Sequence, residues 1–437
     1  MLRKSVLGLS VTILAAAIVS SLAAPGAHAQ EPKPVKVGIV TFLSGPASGP
    51  FGIPSRNAAE LLVEAINNGT LPAPYNTKGL AGAPIESIMV DEAGSTTKVV
   101  QDFRSLVDRQ DAAAVVGYVS SGSCLAVAPV AEELKELTVF FDCGTPRIFE
   151  DASYKYVFRT SAHSTMDSVA AALYLKEKFP KLSTYAGINQ NYAWGQDSWR
   201  DFVAAMKDLN PKSSITTVQF PKLFAGQYSA EISALEASNS QIIHSSFYDG
   251  DLESFLFQAS ARGLTKQSLL VLTTGETAMF RLGAKMPDGV VLGGRGPYGV
   301  FAADTPLNQW FRKNFSDRYY APPTYPSYQM AQAILALKIG YDKAAAANGG
   351  KVPGKDQVIS AMEHMEFDAF GTQVKMALGN GHQAITGHAY GIYKFDKATG
   401  EPTIVDVVHF AAECVNPPVG VKSTDWLADG MKGAKCK

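Results

Sequence analysis

Apolar positions along the chain alternate between a strand-like and a helical period. "VKVGIVTF" is a β-branched run closed by the turn-rich "LSGPASGPFG", and "SRNAAELLVEAIN" then places apolar residues at helical spacing. The spacing predicts a strand followed by a helix, and the unit repeats. "APIESIMVDEA" leads into "STTKVVQDFRSLVDRQ", where Ser95 or Thr96 can cap a helix that buries Val99, Val100, Phe103, Leu106 and Val107. "AAAVVGYV" leads through a short loop to "CLAVAPVAEEL", in which Pro129 either kinks the helix or marks where its regular part begins, and "TVFFDCG" is the next strand. Such alternation predicts a mostly parallel sheet covered by helices on both faces, because parallel strands need crossover connections.

A second series of units is predicted from "YKYVFRTS" onward, through "STYAGINQ", "SITTVQF", "QIIHSSF" and "SLLVLTTG" with helices between them. After "GVVLGGRGPYGVF" come two helices, "PLNQWFRKNFSDRYY" and "YQMAQAILALKIGYDKAAAA". The antiparallel-looking "HAYGIYKFDKATGEPTIVDVVHF" follows, turning at "KATG". Two similar α/β lobes with a cleft between them are the architecture this order predicts.

The N-terminus changes the picture of compartment. Arg3 and Lys4 precede an apolar run from Val6 to Ala24, and Ala27, His28 and Ala29 form a small-residue cleavage site before Gln30. Residues 1–29 are therefore expected to be a secretory signal peptide, leaving an exported, soluble chain of roughly 400 residues, enough for two domains. Net charge is −1, with no basic stripe, which argues against nucleic acid or an anionic membrane surface as partners. Among the four cysteines, Cys414 and Cys436 bracket a Pro/Gly/Lys-rich tail and are the expected disulfide, with free tail thiols as the alternative. Cys124 and Cys143 follow neighbouring strands and either pair or leave one thiol as a nucleophile.

The candidate chemistry lies in the loop "GYVSSGSCLAVAP". Ser120, Ser121, Gly122 and Ser123 fall at the carboxyl end of a strand and the start of a helix, where unpaired N–H groups and a positive dipole end suit a carboxylate. Asp142, Cys143, Gly144 and Thr145 of the adjacent "DCGTP" supply more exposed backbone groups. The competing reading is that these serines only cap a helix and turn the chain.

The order "LSGP...FG", "AINNG", "VGYVSSGS", "DCGTP", "YAWG", "ARGL", "GE" and "HQAITGHAYGIYKF" resembles the type I periplasmic solute-binding proteins of ABC transporters, in the branch that takes leucine, isoleucine and valine. The resemblance implies two Rossmann-like lobes joined by three hinge strands, near Thr160, Gly296 and Gly387, that close on ligand. Lobe 1 would comprise residues 30–159 and 296–387, lobe 2 residues 160–295 and 388–413, and 414–437 a C-terminal tail. It further implies a monomer working in the periplasm with a membrane permease pair and cytoplasmic ATPases, and with no cofactor or metal.

Carried over residue by residue, Ser121 matches the serine that binds an amino acid's carboxylate. Thr145 and the main chain at Cys143 match the loop that shares in holding carboxylate and ammonium, and Glu276 matches the acid that pairs with the ammonium. Phe51, Trp194 and Tyr248 match aromatic positions around the ligand. The family's usual tyrosines at Phe51 and Trp194 are here a hydroxyl-free ring and an indole. A hydrophobic amino acid is the expected ligand, with an aromatic carboxylate or amide as the alternative.

An exported hydrolase is the competing function class. "SSGSC" is not a G-x-S-x-G elbow and "HQAITGH" has no standard metal spacing, so His382 and His388 are expected to be structural or surface residues, and His244, in an apolar strand, a core histidine.

Overall fold

The computed structural model describes residues 32–436 together with Met1, Leu2, Ser5 and Gly8. The expected signal peptide therefore lies almost wholly outside the described residues. Among the described residues no helix is long and apolar enough to cross a membrane.

The β-branched run after Pro34 forms β1 (Val35–Thr41), whose residues are buried almost without interruption, as expected for a strand covered by helices on both faces. Four further strands follow it in chain order: β2 (Ile85–Asp91), β3 (Ala114–Gly117), β4 (Thr138–Phe140) and β5 (Val157–Arg159). The second series supplies β6 (Thr184–Ile188), β7 (Ser214–Gln219), β8 (Ile242–Ser245), β9 (Leu269–Leu272) and β10 (Val291–Gly293). The chain then adds β11 (Glu366–Asp368), β12 (Gln373–Leu378) and β13 (Gln383–Ile385) to the first sheet, and β14 (His388–Asp396) and β15 (Glu401–Phe410) to the second.

The first sheet has the order β11-β12-β13-β5-β4-β3-β1-β2, and the second β15-β14-β10-β9-β8-β6-β7. Each is parallel through its centre and antiparallel at the edge where the late strands join. The chain passes between the sheets three times, after β5, after β10 and after β13. These are two α/β lobes of the type I periplasmic binding protein fold. "YKYVFRTS" differs from its expected place: β5 lies inside the first sheet, parallel to β4 on one side and to β13 on the other, so the second series starts one element later. The strand run looks the same in sequence whichever sheet it joins.

Local signals explain several of the helices. Ser95 caps Thr96–Asp108, accepting from the Lys98 N–H at 3.3 Å. Pro129 lies inside the helix Ser121–Leu134. The helix Tyr325–Ala347 starts three residues ahead of the apolar periodicity, with Pro326 in its first turn, where the missing N–H costs nothing.

Cys414–Cys436 and Cys124–Cys143 are both disulfides, and no free cysteine remains among the described residues, which removes the thiol nucleophile. The tail is docked: Trp426, Leu427 and Met431 join the apolar cluster of the second lobe, while Ser423 bonds Glu150 of the first. His244 is a core histidine, stacked on Phe202 at 4.1 Å and pushed down to about 3 by burial. His382 and His388 are both buried structural residues.

Candidate functional site

The small polar loop forms at the carboxyl end of β3. Tyr118 takes a left-handed φ of 75°, unusual for a bulky residue, and turns the chain into the helix that begins at Ser121. The buried Glu92 carboxylate accepts from the N–H groups of Val119 at 2.8 Å and Ser120 at 2.9 Å, holding the turn. Ser120, the residue before the helix, makes no side-chain cap. Ser121 does something else: its Oγ accepts from the N–H groups of Gly144 (3.2 Å) and Thr145 (3.1 Å), bridging the two loops. Its own O–H remains available to donate.

These loops face a small cavity between the lobes. Phe51, Val119, Ser121, Asp142, Gly144 and Tyr325 contribute from the first lobe, Tyr192, Trp194, Tyr248 and Thr274 from the second, and Arg295 from the second crossing. Its volume is about 10 Å³, near the least that holds one water. The lobes are closed on each other: Trp194 and Tyr248 of the second lobe belong to the apolar cluster of the first. A Cβ at Gly144 would lie 2.1 Å from the Trp194 ring.

Five of the eleven wall residues are aromatic. Phe51 stands edge-on to Tyr248 and to Tyr325, with centroids 5.3 and 5.5 Å apart. The Tyr192 hydroxyl donates to that of Tyr248 at 3.0 Å, and the Trp194 indole N–H to the Ser246 carbonyl at 2.8 Å. The indole therefore offers the cavity a ring without a donor. The Tyr325 hydroxyl is buried and has no hydrogen-bond partner among the described residues.

Arg295 is the cation of this wall. It donates from Nε to Asp167 at 3.2 Å, from Nη2 to the Ala162 carbonyl at 2.8 Å, and from Nη1 to the carbonyl and carboxylate of Asp142. One N–H on Nη2 is left uncommitted. Asp167 also accepts from His388 Nε2 at 2.9 Å, so the network joins the first lobe to the start of β14. Burial would lower the guanidinium, but Asp167 and Asp142 outweigh it and hold it above its ordinary range. Burial pushes Asp142 up to about 6 against the pull of Arg295.

Of the residues expected from sequence, Phe51, Ser121, Trp194 and Tyr248 line the cavity together. The other three are committed elsewhere. The Cys143 carbonyl accepts from Arg159 Nη1 at 2.7 Å, and the Thr145 hydroxyl donates to Asp197 of the second lobe at 2.6 Å. Glu276 turns away to the start of the helix Tyr325–Ala347, accepting from the Tyr325 N–H at 2.9 Å. Burial pushes its carboxyl up to about 8, so at neutral pH it is mostly protonated.

Sequence reasoning did not find Arg295, Tyr192 and Tyr325. Arg295 had one visible signal, a lone arginine between glycines after an apolar strand, in "LGGRGP". Tyr325 had none, because its place depends on how the second lobe folds over the first.

Comparison with curated protein sequences returns no match. Among solved structures the chain is similar to a solute-binding protein of an ABC transporter from Rhodopseudomonas palustris BisB5 in complex with 3,4-dihydroxybenzoic acid. Identity is 19%, 87% of this chain and 98% of that one are covered, and the TM-score is 0.74. It is also similar to an amino acid ABC transporter substrate-binding protein from Pseudomonas fluorescens Pf-5, at 18% identity, 90% and 99% coverage and TM-score 0.75. A leucine binding protein from Thermotoga maritima MSB8 matches at 19% identity, 86% and 98% coverage and TM-score 0.70. At these identities the likeness is one of fold. A family model described as periplasmic binding protein matches residues 34–400, and with two lobes closing on a walled cavity the chain belongs to that family.

Proposed function

We propose that the protein is the extracytoplasmic solute-binding component of an ABC importer, which closes its lobes on a small aromatic carboxylate and presents it to a membrane permease driven by cytoplasmic ATPases. The observation that carries the ligand class is the pairing of an uncommitted Arg295 N–H with five aromatic rings, while Glu276 is protonated and outside the cavity. A carboxylate near Gly144 would accept from that N–H and from the Ser121 O–H, a charge-assisted arrangement. The rings of Phe51, Trp194 and Tyr248 then suit a flat apolar body, and the Tyr325 hydroxyl is free for a polar substituent. Aromatic acids are also the ligands named for several proteins of this fold.

The closed cavity is too small for such a ligand, so the reading requires the lobes to part for entry and the rings to repack around the solute. No step in this function is catalytic.

A hydrophobic amino acid is the second reading, favoured by one observation: Asp142 lines the cavity and would face an α-ammonium. Isothermal titration with benzoate, 4-hydroxybenzoate, leucine and phenylalanine separates the two. Binding of the benzoates and not of leucine is expected. Binding of the amino acids alone overturns the aromatic acid reading, and binding of none overturns both.

A further inference from the structure

A second cavity, of about 230 Å³, lies beside the first and third crossings, between the first lobe and the docked tail, and shares no wall residue with the cleft. We propose that it is a binding site for a small inorganic oxyanion of the phosphate or sulfate type, held by Arg159, His163 and Lys422.

Arg159 is the main reason. It ends β5, is fully buried and forms part of the wall. Its Nε donates to Gln383, and its Nη1 to the carbonyls of Cys143 at 2.7 Å and Thr145 at 2.6 Å, while Nη2 has no partner among the described residues. All of these acceptors are uncharged. A buried cation without a counter-ion is costly, and proteins normally pair it. The neighbouring acid does this poorly: Glu150 has one oxygen committed to the N–H and hydroxyl of Ser423, and burial raises its carboxyl above the usual range.

Two more groups add to the cation. His163 is buried in the same wall with an Nδ1 that has no partner among the described residues, and burial holds it well below its ordinary range, so it is neutral and able to donate. Lys422 stands half-exposed at the rim, 3.5 Å from Asp151. The volume is several times a water's share of about 30 Å³, room for a tetrahedral oxyanion and its ordered water. With Nε and Nη1 already committed, Arg159 has its two Nη2 N–H groups left to donate to an oxyanion oxygen.

The test is calorimetric titration of the exported chain, without cleft solute, with sodium phosphate and sodium sulfate against sodium chloride at matched ionic strength. Saturable binding of phosphate or sulfate in the millimolar range or tighter is expected. Arg159→Met should abolish it. Because that buried substitution can unfold the chain, Asn380→Asp is the second variant: Asn380 is exposed on the cavity wall with a left-handed φ of 57°, which aspartate also adopts. The added carboxylate should weaken binding about tenfold by repulsion. Absence of saturable binding, meaning water alone fills the cavity, overturns the proposal, as does binding that Asn380→Asp leaves unchanged. Cleft solutes enter neither titration, so this outcome is independent of the solute class proposed above.

Discussion

The Arg295 guanidinium lies over the Trp194 ring, 4.5 Å from its centroid, and joins three parts of the molecule. Arg295 belongs to a crossing, Trp194 to the second lobe, and the Asp142 that Arg295 also holds to the first. A cation over an indole face contributes roughly 0.5–2 kcal/mol, more when desolvated. The stack therefore favours the closed arrangement while keeping the cation beside the cavity.

Replacing Arg295 by methionine should destabilise the protein by about 3–5 kcal/mol, because Asp142 and Asp167, each 1% exposed, would lose their buried partner. Urea unfolding measures it. A loss under about 1 kcal/mol would mean that the two acids simply take up protons.

Gly144→Ala tests closure. Its Cβ would sit 2.1 Å from the Trp194 ring, so the lobes of the variant should not meet fully. Overpacking of this kind costs about 1–3 kcal/mol, or roughly 5- to 150-fold in solute affinity. Small-angle scattering should show the wild type contracting on saturation and the variant contracting less. Equal contraction of both would refute the contact's role.

Tyr325→Phe removes a buried hydroxyl that has no partner among the described residues. Unfolding stability should hold or rise, since no hydrogen bond is lost. Affinity for a solute with a polar ring substituent should fall by about 0.5–1.5 kcal/mol, with affinity for benzoate unchanged. Calorimetry on the matched pair of solutes reads the difference.

The stability contributed by Glu276 and Asp142 should fall as pH rises from about 4.5 to 8, offset below about 6.5 by the buried His163 and His244, whose lowered values act in the opposite sense. Glu276 is raised from 4.5 to about 8 and Asp142 from 3.8 to about 6, so between these values the folded state binds more protons than the unfolded one. Their stabilising contribution is complete below the unfolded values and is lost as pH passes the folded ones, with a slope of up to about 1.4 kcal/mol per pH unit per proton. Glu276→Gln should flatten the profile between pH 6 and 8, which urea titrations at several pH values would follow. An unchanged slope would place the Glu276 carboxyl near its ordinary value.

The α/β alternation, the "KATG" hairpin and the small polar loop at the end of β3 were legible in the sequence, because each is set by residues near one another in the chain. Strand period, cap and turn chemistry act over a few residues, and so a cap at Ser95 or Thr96, the serine loop from Ser120 to Ser123 and the run Val35–Thr41 could be read directly, while Ser121 was singled out by the resemblance. Phe51, Trp194 and Tyr248 were found through the resemblance, since an aromatic residue in isolation does not tell a cleft from a core.

Tertiary structure alone decided the charges. Arg295 meets Asp142, Asp167 and Trp194 across separations of more than 100 residues, and a coordinate that long leaves no local pattern. Glu276 shows the same limit from the other side. The resemblance made it a site residue, although an acid at that place is by itself more often a solvated surface group; the start of the helix Tyr325–Ala347 offers its backbone N–H, and burial there keeps the carboxyl protonated. Which sheet β5 joins, and which way a carboxylate turns, depend on partners the chain brings up only after it has folded back on itself.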